Sequence, residues 1–341
     1  MANYADAALA KAQARILSQF QAPEKRLKAN GSFSPFARQT QITVPNISEL
    51  RVSHQRPVDV NFLTRSKRST TTSRAARHTG SQGDGGVVTL TWKKYVDKGS
   101  TSIKLAENTI YSDSEIIANE LENMLKNIAE DVHADSIGYL DTNKSAVNAA
   151  TANGSLNADA TPTNFWEIAS ADKDFYYQYA ESMLMQNYYS GEFDAIVDPV
   201  KYAQAVYQGN QGVGNATNYG YQLNNANIVQ AVGLSDAAYA GGMGYFVPQG
   251  TIGAVDWTPV KNRSSYGDIN SYVGGLRTIE NPYLNGITCA LSAYVDRADR
   301  SAVGGDEQDF VIQWEVSAEI ALVKAPISTA GETTIFGVGQ L

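Results

Sequence analysis

Five basic side chains, Arg65, Lys67, Arg68, Arg74 and Arg77, sit between Leu63 and Val87 in a stretch with no apolar side chain larger than alanine. Such a segment cannot contribute to a core. Its guanidinium and ammonium groups are suited to charge-assisted contacts with an acidic surface. A nucleic-acid role fits less well. Residues 51–78 hold seven Lys/Arg against one acid, but no aromatic sits among the basic positions to stack on bases, and the whole chain carries a net charge of −8.

Other chemistry is poorly supplied. The three histidines (His54, His78, His133) include no i, i+4 pair, and the single Cys289 excludes an intramolecular disulfide and a cysteine zinc cage. There is no Walker A sequence, no Gly-x-Ser-x-Gly elbow and no His-Glu-x-x-His helix. Gly209, Gly212 and Gly214 lie in a Gln/Asn-rich stretch without a strand before them, which reads as a loop and not a phosphate cradle. Asp296, Asp299, Asp306 and Asp309 cluster without the spacing of a calcium loop. The expectation is a chain that is not an enzyme and needs no cofactor or metal.

The elements around the basic stretch are better specified. Before it, Val58, Val60 and Phe62 alternate with Asp59, Asn61 and Leu63; after it, Val88, Leu90 and Trp92 alternate with Thr89, Thr91 and Lys93. Both runs have the period of a strand with two unlike faces. Together they predict a hairpin whose charged tip spans Arg65 to Gly86. An isolated two-stranded hairpin is marginal in water, so support from a neighbouring subunit is expected. Ser112-Asp113-Ser114-Glu115 then has capping-box spacing, with Tyr111 and Ile116 placed as a staple. Ile117, Leu121, Met124, Leu125, Ile128 and Val132 form one helical stripe to about residue 135, with Glu120, Glu122, Glu130 and Asp131 mostly off it.

The remaining chain reads as follows. Residues 2–20 predict a short helix, 21–55 an extended stretch punctuated by Pro23, Pro35 and Pro45, and 142–164 an exposed loop. Asp172 is placed to cap a helix reaching about Tyr188, with Phe175, Tyr179, Met183 and Leu184 on its inner side. Phe193 to Val197 reads as a buried strand, and Asp198-Pro199 starts the next helix. A Gly/Asn/Gln loop is expected over 208–227, with strands at 244–247, 251–257 and 287–296. From Phe310 to Leu322 a long alternating strand sets Phe310, Ile312, Trp314, Val316, Ile320 and Leu322 against Gln313, Glu315, Ser317 and Glu319. That pattern predicts burial on one face.

At 341 residues, 43% hydrophobic and 18% charged, the chain has globular composition and length for a large core. No apolar run approaches the roughly 18–20 residues of a membrane helix, and Met1 to Asp6 does not open a secretory signal. Residues 1–100 hold 16 Lys/Arg and six Asp/Glu, whereas the other 241 hold 11 and 29. Opposite poles on one chain favour head-to-tail contact between copies. The 19 tyrosines, with pairs at Tyr176-Tyr177 and Tyr188-Tyr189, suit either subunit interfaces or ordinary packing.

This order of elements resembles a tailed-bacteriophage major capsid protein of the Hong Kong 97-like fold. The resemblance covers nearly the whole chain and is one of architecture, without a sharp motif. It implies an α+β chain with an N-terminal arm (1–55), an E-loop hairpin (56–111), a P-domain made of the spine helix and the long closing strand (112–164 and 306–330), an A-domain (165–305) and a C-terminal tail (331–341). It also implies self-assembly into hexamers and pentamers of an icosahedral head, with each E-loop lying over a neighbouring subunit; the charge split and the core-free tip then predict that Arg65, Lys67, Arg68, Arg74 and Arg77 dock on acidic surface of that copy. A separate scaffolding protein and a portal are the implied partners. Packaged double-stranded DNA would be non-specific cargo, no membrane is involved, and synthesis would occur in the host bacterial cytoplasm. Some members cross-link a lysine to an asparagine. Lys67 is the only lysine near the tip, but no partner for it is evident.

Two other classes compete. A phage tail-tube or other virion protein also uses long hairpins, but is chiefly β; an encapsulin-like compartment would share the architecture. A polysaccharide-binding protein or hydrolase would use the aromatic content and two carboxylates about 5–10 Å apart in a cleft.

Overall fold

The computed structural model describes residues 31–44, 47–52, 56–63, 85–102, 113–145, 156–159, 164–187, 191–213, 226–258, 277–299, 308–326 and 334–341, with 10–11, 14–15, 72 and 189 as isolated positions. The chain is a mixed α+β protein built on two main sheets and a two-stranded ribbon. The ribbon pairs β1 (Asp59–Leu63) with β2 (Gly85–Thr89) in antiparallel register, Val60 opposite Val88 and Leu63 opposite Gly85. The alternation holds in part: Val60 and Leu90 are buried and Val88 is half-buried, while Asp59, Asn61, Val87 and Thr89 face outward, but Val58 is exposed and the second run breaks after Thr89, with Trp92 opening a strand of the next sheet.

The first main sheet has five antiparallel strands: β3 (Trp92–Ser102), β9 (Ile252–Trp257), β10 (Arg277–Asn281), β11 (Ile287–Asp299) and β12 (Gln308–Lys324). β12, at 17 residues, organises it. β3 runs along one edge from Val311 to Ala321, while β11 and then β9 share the other edge. Helix α3 (Asp113–Asn143) lies on this sheet. At 1.5 Å per residue its 31 residues span roughly 45 Å. Ile117, Leu121, Met124, Leu125, Ile128 and Val132 are all buried, as their spacing predicts. They meet Ile312, Trp314, Val316 and Ile320 of β12. The helix runs past the expected end near 135 because Leu140 and partly buried Tyr139 continue the apolar stripe.

β12 differs from expectation in its second half, where every residue from Val316 to Ala321 is buried. One face packs on α3. The other carries Ala321 and Val323 against Val44, Val60, Leu90 and Val255, so the ribbon root covers a face that alternation alone assigns to solvent.

The second main sheet is mixed, in the order β4 (Leu156–Asp159), β5 (Phe165–Ile168), β13 (Phe336–Gln340), β8 (Met243–Pro248), β6 (Phe193–Val197) and β7 (Ala226–Gln230). Helices α4 (Tyr176–Gln186) and α5 (Pro199–Val213) cover one face. The expected tail from 331 to 341 is corrected here: Phe336–Gln340 is fully buried between β5 and β8. Glycines make this possible. A Cβ on Gly337 would lie 2.7 Å from the Phe165 ring and one on Gly339 would lie 2.3 Å from the Tyr239 ring, so both aromatics pack directly on the strand backbone.

Three further readings change. Residues 156–159 of the expected loop form β4, and 208–213 of the next one continue α5. Asp172 caps no α-helix. It sits inside a 3-10 turn, Ser170–Phe175, and α4 begins at Tyr176. That start turns Tyr176, Tyr177, Ala180, Met183 and Leu184 to the core and leaves Phe175 outside. Segment 21–55 is not simply extended. Helices α1 (Ser34–Thr43) and α2 (Ile47–Val52) interrupt it, with Pro35 in the first turn of α1, where a missing N–H costs nothing.

Candidate inter-subunit surfaces

Arg65, Lys67, Arg68, Arg74 and Arg77 lie outside the described residues. What the structure describes is the root from which they depart. Arg56 forms an ion pair with Glu319, a carboxylate only 6% exposed in β12. The guanidinium also stands 5.8 Å from the centre of the Trp92 ring and 5.5 Å from that of Trp257. The Trp92 Nε1–H donates to the Pro57 carbonyl at 2.7 Å, and the Leu90 amide to the Val58 carbonyl at 2.6 Å. A buried charge is tolerable only when paired in this way. These contacts anchor the root of the ribbon to the sheet.

Complementary charge is present on α3. Glu130 and Asp131 are exposed on its outer face. Nearby, Asp135 accepts from the Tyr95 hydroxyl at 2.6 Å and pairs with Lys93 at 2.5 Å. Burial is the main cause that pushes the Tyr95 phenol up, with Asp135 adding to it. Glu120, on β3's side, is raised by burial and by Asp97. Glu122 departs from expectation: it is buried, pairs with Lys126 at 2.6 Å and accepts from the Tyr283 hydroxyl at 3.2 Å.

Sequence reasoning missed two internal joints that tie the N-terminal segment to both sheets. His133 is one. Its Nδ1 accepts from the Phe33 amide at 3.3 Å and lies 3.1 Å from the Ser32 hydroxyl. Burial pulls its pKa down to about 4, against a hydrogen bond with the Tyr283 backbone that acts the other way. Asp194 is the other. Fully buried in β6, it takes Arg38 and Gln39 of α1 and the Asn227 amide at 2.8 Å. Gln39 Oε1 in turn accepts the Thr251 and Ile252 amides, each at 3.3 Å. The available signals were polar residues inside apolar patterns, Asp194 within Phe193–Val197 and His133 beside Val132.

The tyrosine pairs divide. Tyr176 and Tyr177 are core residues whose hydroxyls donate to the Val338 and Lys201 carbonyls at 2.8 and 2.6 Å. Tyr189 packs edge-on to Phe336, and Tyr188 lies outside the described residues. Asp198 caps α5 as expected, accepting the Lys201 amide at 2.8 Å. Among the described residues no group of three His, Cys, Asp or Glu could hold a metal ion.

No family model and no curated protein matches the chain. Solved structures do resemble it. One is titled Mycobacterium phage Cain, at 8% identity and a TM-score of 0.48 over 92% of this chain and 91% of that one. Cyanophage Pam1 capsid asymmetric unit matches at 9% identity and 0.48 over 90% and 92%. Mycobacterium phage Che8 matches at 11% and 0.47 over 87% and 89%.

Proposed function

We propose that the chain is the major capsid protein of a tailed phage, with a Hong Kong 97-like fold, forming hexamers and pentamers of an icosahedral head around double-stranded DNA. One observation carries this reading. A 31-residue helix lies along a sheet organised by a 17-residue strand, and a ribbon rooted in that sheet leads into a basic segment with nothing of its own to bury. Two strands cannot hold such an arm in water, and the same chain carries acids in excess on its body.

In this reading the β1–β2 ribbon and the basic segment it carries are the E-loop, α3 with the five-stranded sheet is the P-domain, so that β9, β10 and β11 leave the expected 165–305 unit for it, the six-stranded sheet with α4 and α5 is the A-domain, and 1–55 is the N-terminal arm. Arg65, Lys67, Arg68, Arg74 and Arg77 dock on an adjacent copy, for which exposed Glu130 and Asp131 have the right charge. Exposed ion pairs contribute only about 0–1 kcal/mol each. Shell cohesion then comes from many repeated contacts and from apolar burial along the strands. A scaffolding protein and a portal complete the set of partners, and the mature location is the virion capsid.

The test is negative-stain electron microscopy of the purified chain, alone and co-expressed with its neighbouring genes. Closed shells or rings of five or six subunits are the expected result. Stacked tubes would move the chain to the tail, and folded monomers under every condition would overturn the reading. Reversing Arg65, Arg68 and Arg74 to Glu together should abolish shells while the monomer stays folded.

A further inference from the structure

Three strands of the five-stranded sheet bring one carboxylate and two indole rings together beside the ribbon root. Glu319 of β12 lies opposite Trp257 of β9, and Ala321, two positions on and on the same face, lies opposite Trp92 of β3. Glu319 is 6% exposed and Trp257 9%, with Trp92 half-buried. The Arg56 guanidinium fills the space they enclose, paired with Glu319 and set against both rings. The Arg56 side chain is 43% exposed, so the site opens to solvent where the guanidinium enters. Register also sets Lys94 of β3 opposite Glu319, yet among the described residues Glu319 pairs with Arg56 and Lys94 stays exposed.

We infer that Trp92, Trp257 and Glu319 form a guanidinium-binding site that stands ready without its occupant, that Arg56 fills it in cis, and that this filling docks the ribbon on the sheet. The walls do not depend on Arg56. Glu319 and Trp257 are fixed by strand pairing, and Trp92 donates to the Pro57 carbonyl at 2.7 Å while packing against the cluster of Val60, Leu90, Val255 and Ala321. A carboxylate buried this far requires a cation. A guanidinium meets both demands of the site, because it lies flat on aromatic faces and presents a fork of donors to the carboxylate. An ammonium is a compact, strongly hydrated charge and does neither as well, which accounts for the choice of Arg56 over Lys94. Arg56 stands just before β1, so withdrawing its guanidinium frees the root of the ribbon.

The test is chemical rescue in the whole chain, read on the single subunit and so independent of assembly. Arg56→Ala empties the site and leaves the Pro57 carbonyl in place. Methylguanidinium at millimolar concentration should then give a saturable change in tryptophan fluorescence, raise the melting temperature and restore slow hydrogen exchange to the amides of β1 and β2. Methylammonium at equal ionic strength should do none of this, and neither compound should act on the unmodified chain, whose site is filled. Adding Glu319→Gln to Arg56→Ala should abolish the response. An equal response to methylammonium, or a folded variant with no saturable response, would overturn the inference. The unmodified chain gives a readout that needs no variant: ring currents of the two indoles should move the Arg56 side-chain proton resonances upfield of those of other arginines, and ordinary positions for them would overturn it as well.

Discussion

The two main sheets bury their cores alike and meet the outside differently. The five-stranded sheet is backed by α3, whose outer face carries Glu130 and Asp131. The six-stranded sheet is backed by α4 and α5, and the outer face of α5 carries Val200, Ala203, Val206 and Tyr207. The one exterior offers carboxylates and the other apolar side chains. In both helices the inner stripe fixes where the helix packs and leaves the outer face free to differ.

Breaking the first layer should have the largest effect. Leu125 is fully buried between α3 and the sheet, and Leu125→Ala should cost about 2–5 kcal/mol in urea denaturation. The joint between layers should respond to pH. His133 is held at about 4 when folded, against an ordinary value of 6.5. The unfolded chain therefore binds the extra proton first as pH falls. The stabilising contribution is complete above about 6.5 and is lost progressively down to about 4, amounting to about 3 kcal/mol. Thermal melts from pH 7 to pH 4 should show this slope, and His133→Gln should flatten it.

In the second layer, Gly339→Ala forces a Cβ against Tyr239 and should cost about 1–3 kcal/mol by the same denaturation measurement. Smallest in stability, and sharpest for the comparison, is the exposed pair Glu130→Gln and Val206→Glu. Each should shift monomer stability by no more than about 0.5 kcal/mol. Particle yield by electron microscopy reads their effect on assembly, and Glu130→Gln should lower it by weakening the surface offered to the basic arm.

The first layer was the more legible in sequence, and the reason is period. The α3 stripe and the alternation of β1, β2 and the first half of β12 each repeat often enough to declare their inner face. The second layer declares less. β4 and β13 are short, and Gly337 and Gly339 look like loop residues until Phe165 and Tyr239 are placed over them. The helix boundaries at Tyr176 and Val213 were likewise missed, because a 3-10 turn and a Gln/Asn-rich helical end carry little apolar signal. Of the candidate contacts, the basic tip was fully readable as chemistry, and its root at Arg56, Glu319, Trp92 and Trp257 was not.

The amino-acid order by itself determined the ribbon strands, the long helix, the buried strand before Asp198 and the separation of charge, since each depends on neighbours in sequence. Tertiary structure decided that β13 is a central strand, that the second half of β12 is covered on both faces, and that Asp194 and His133 receive residues of the N-terminal segment. Those outcomes depend on partners far away in sequence, for which no local period exists.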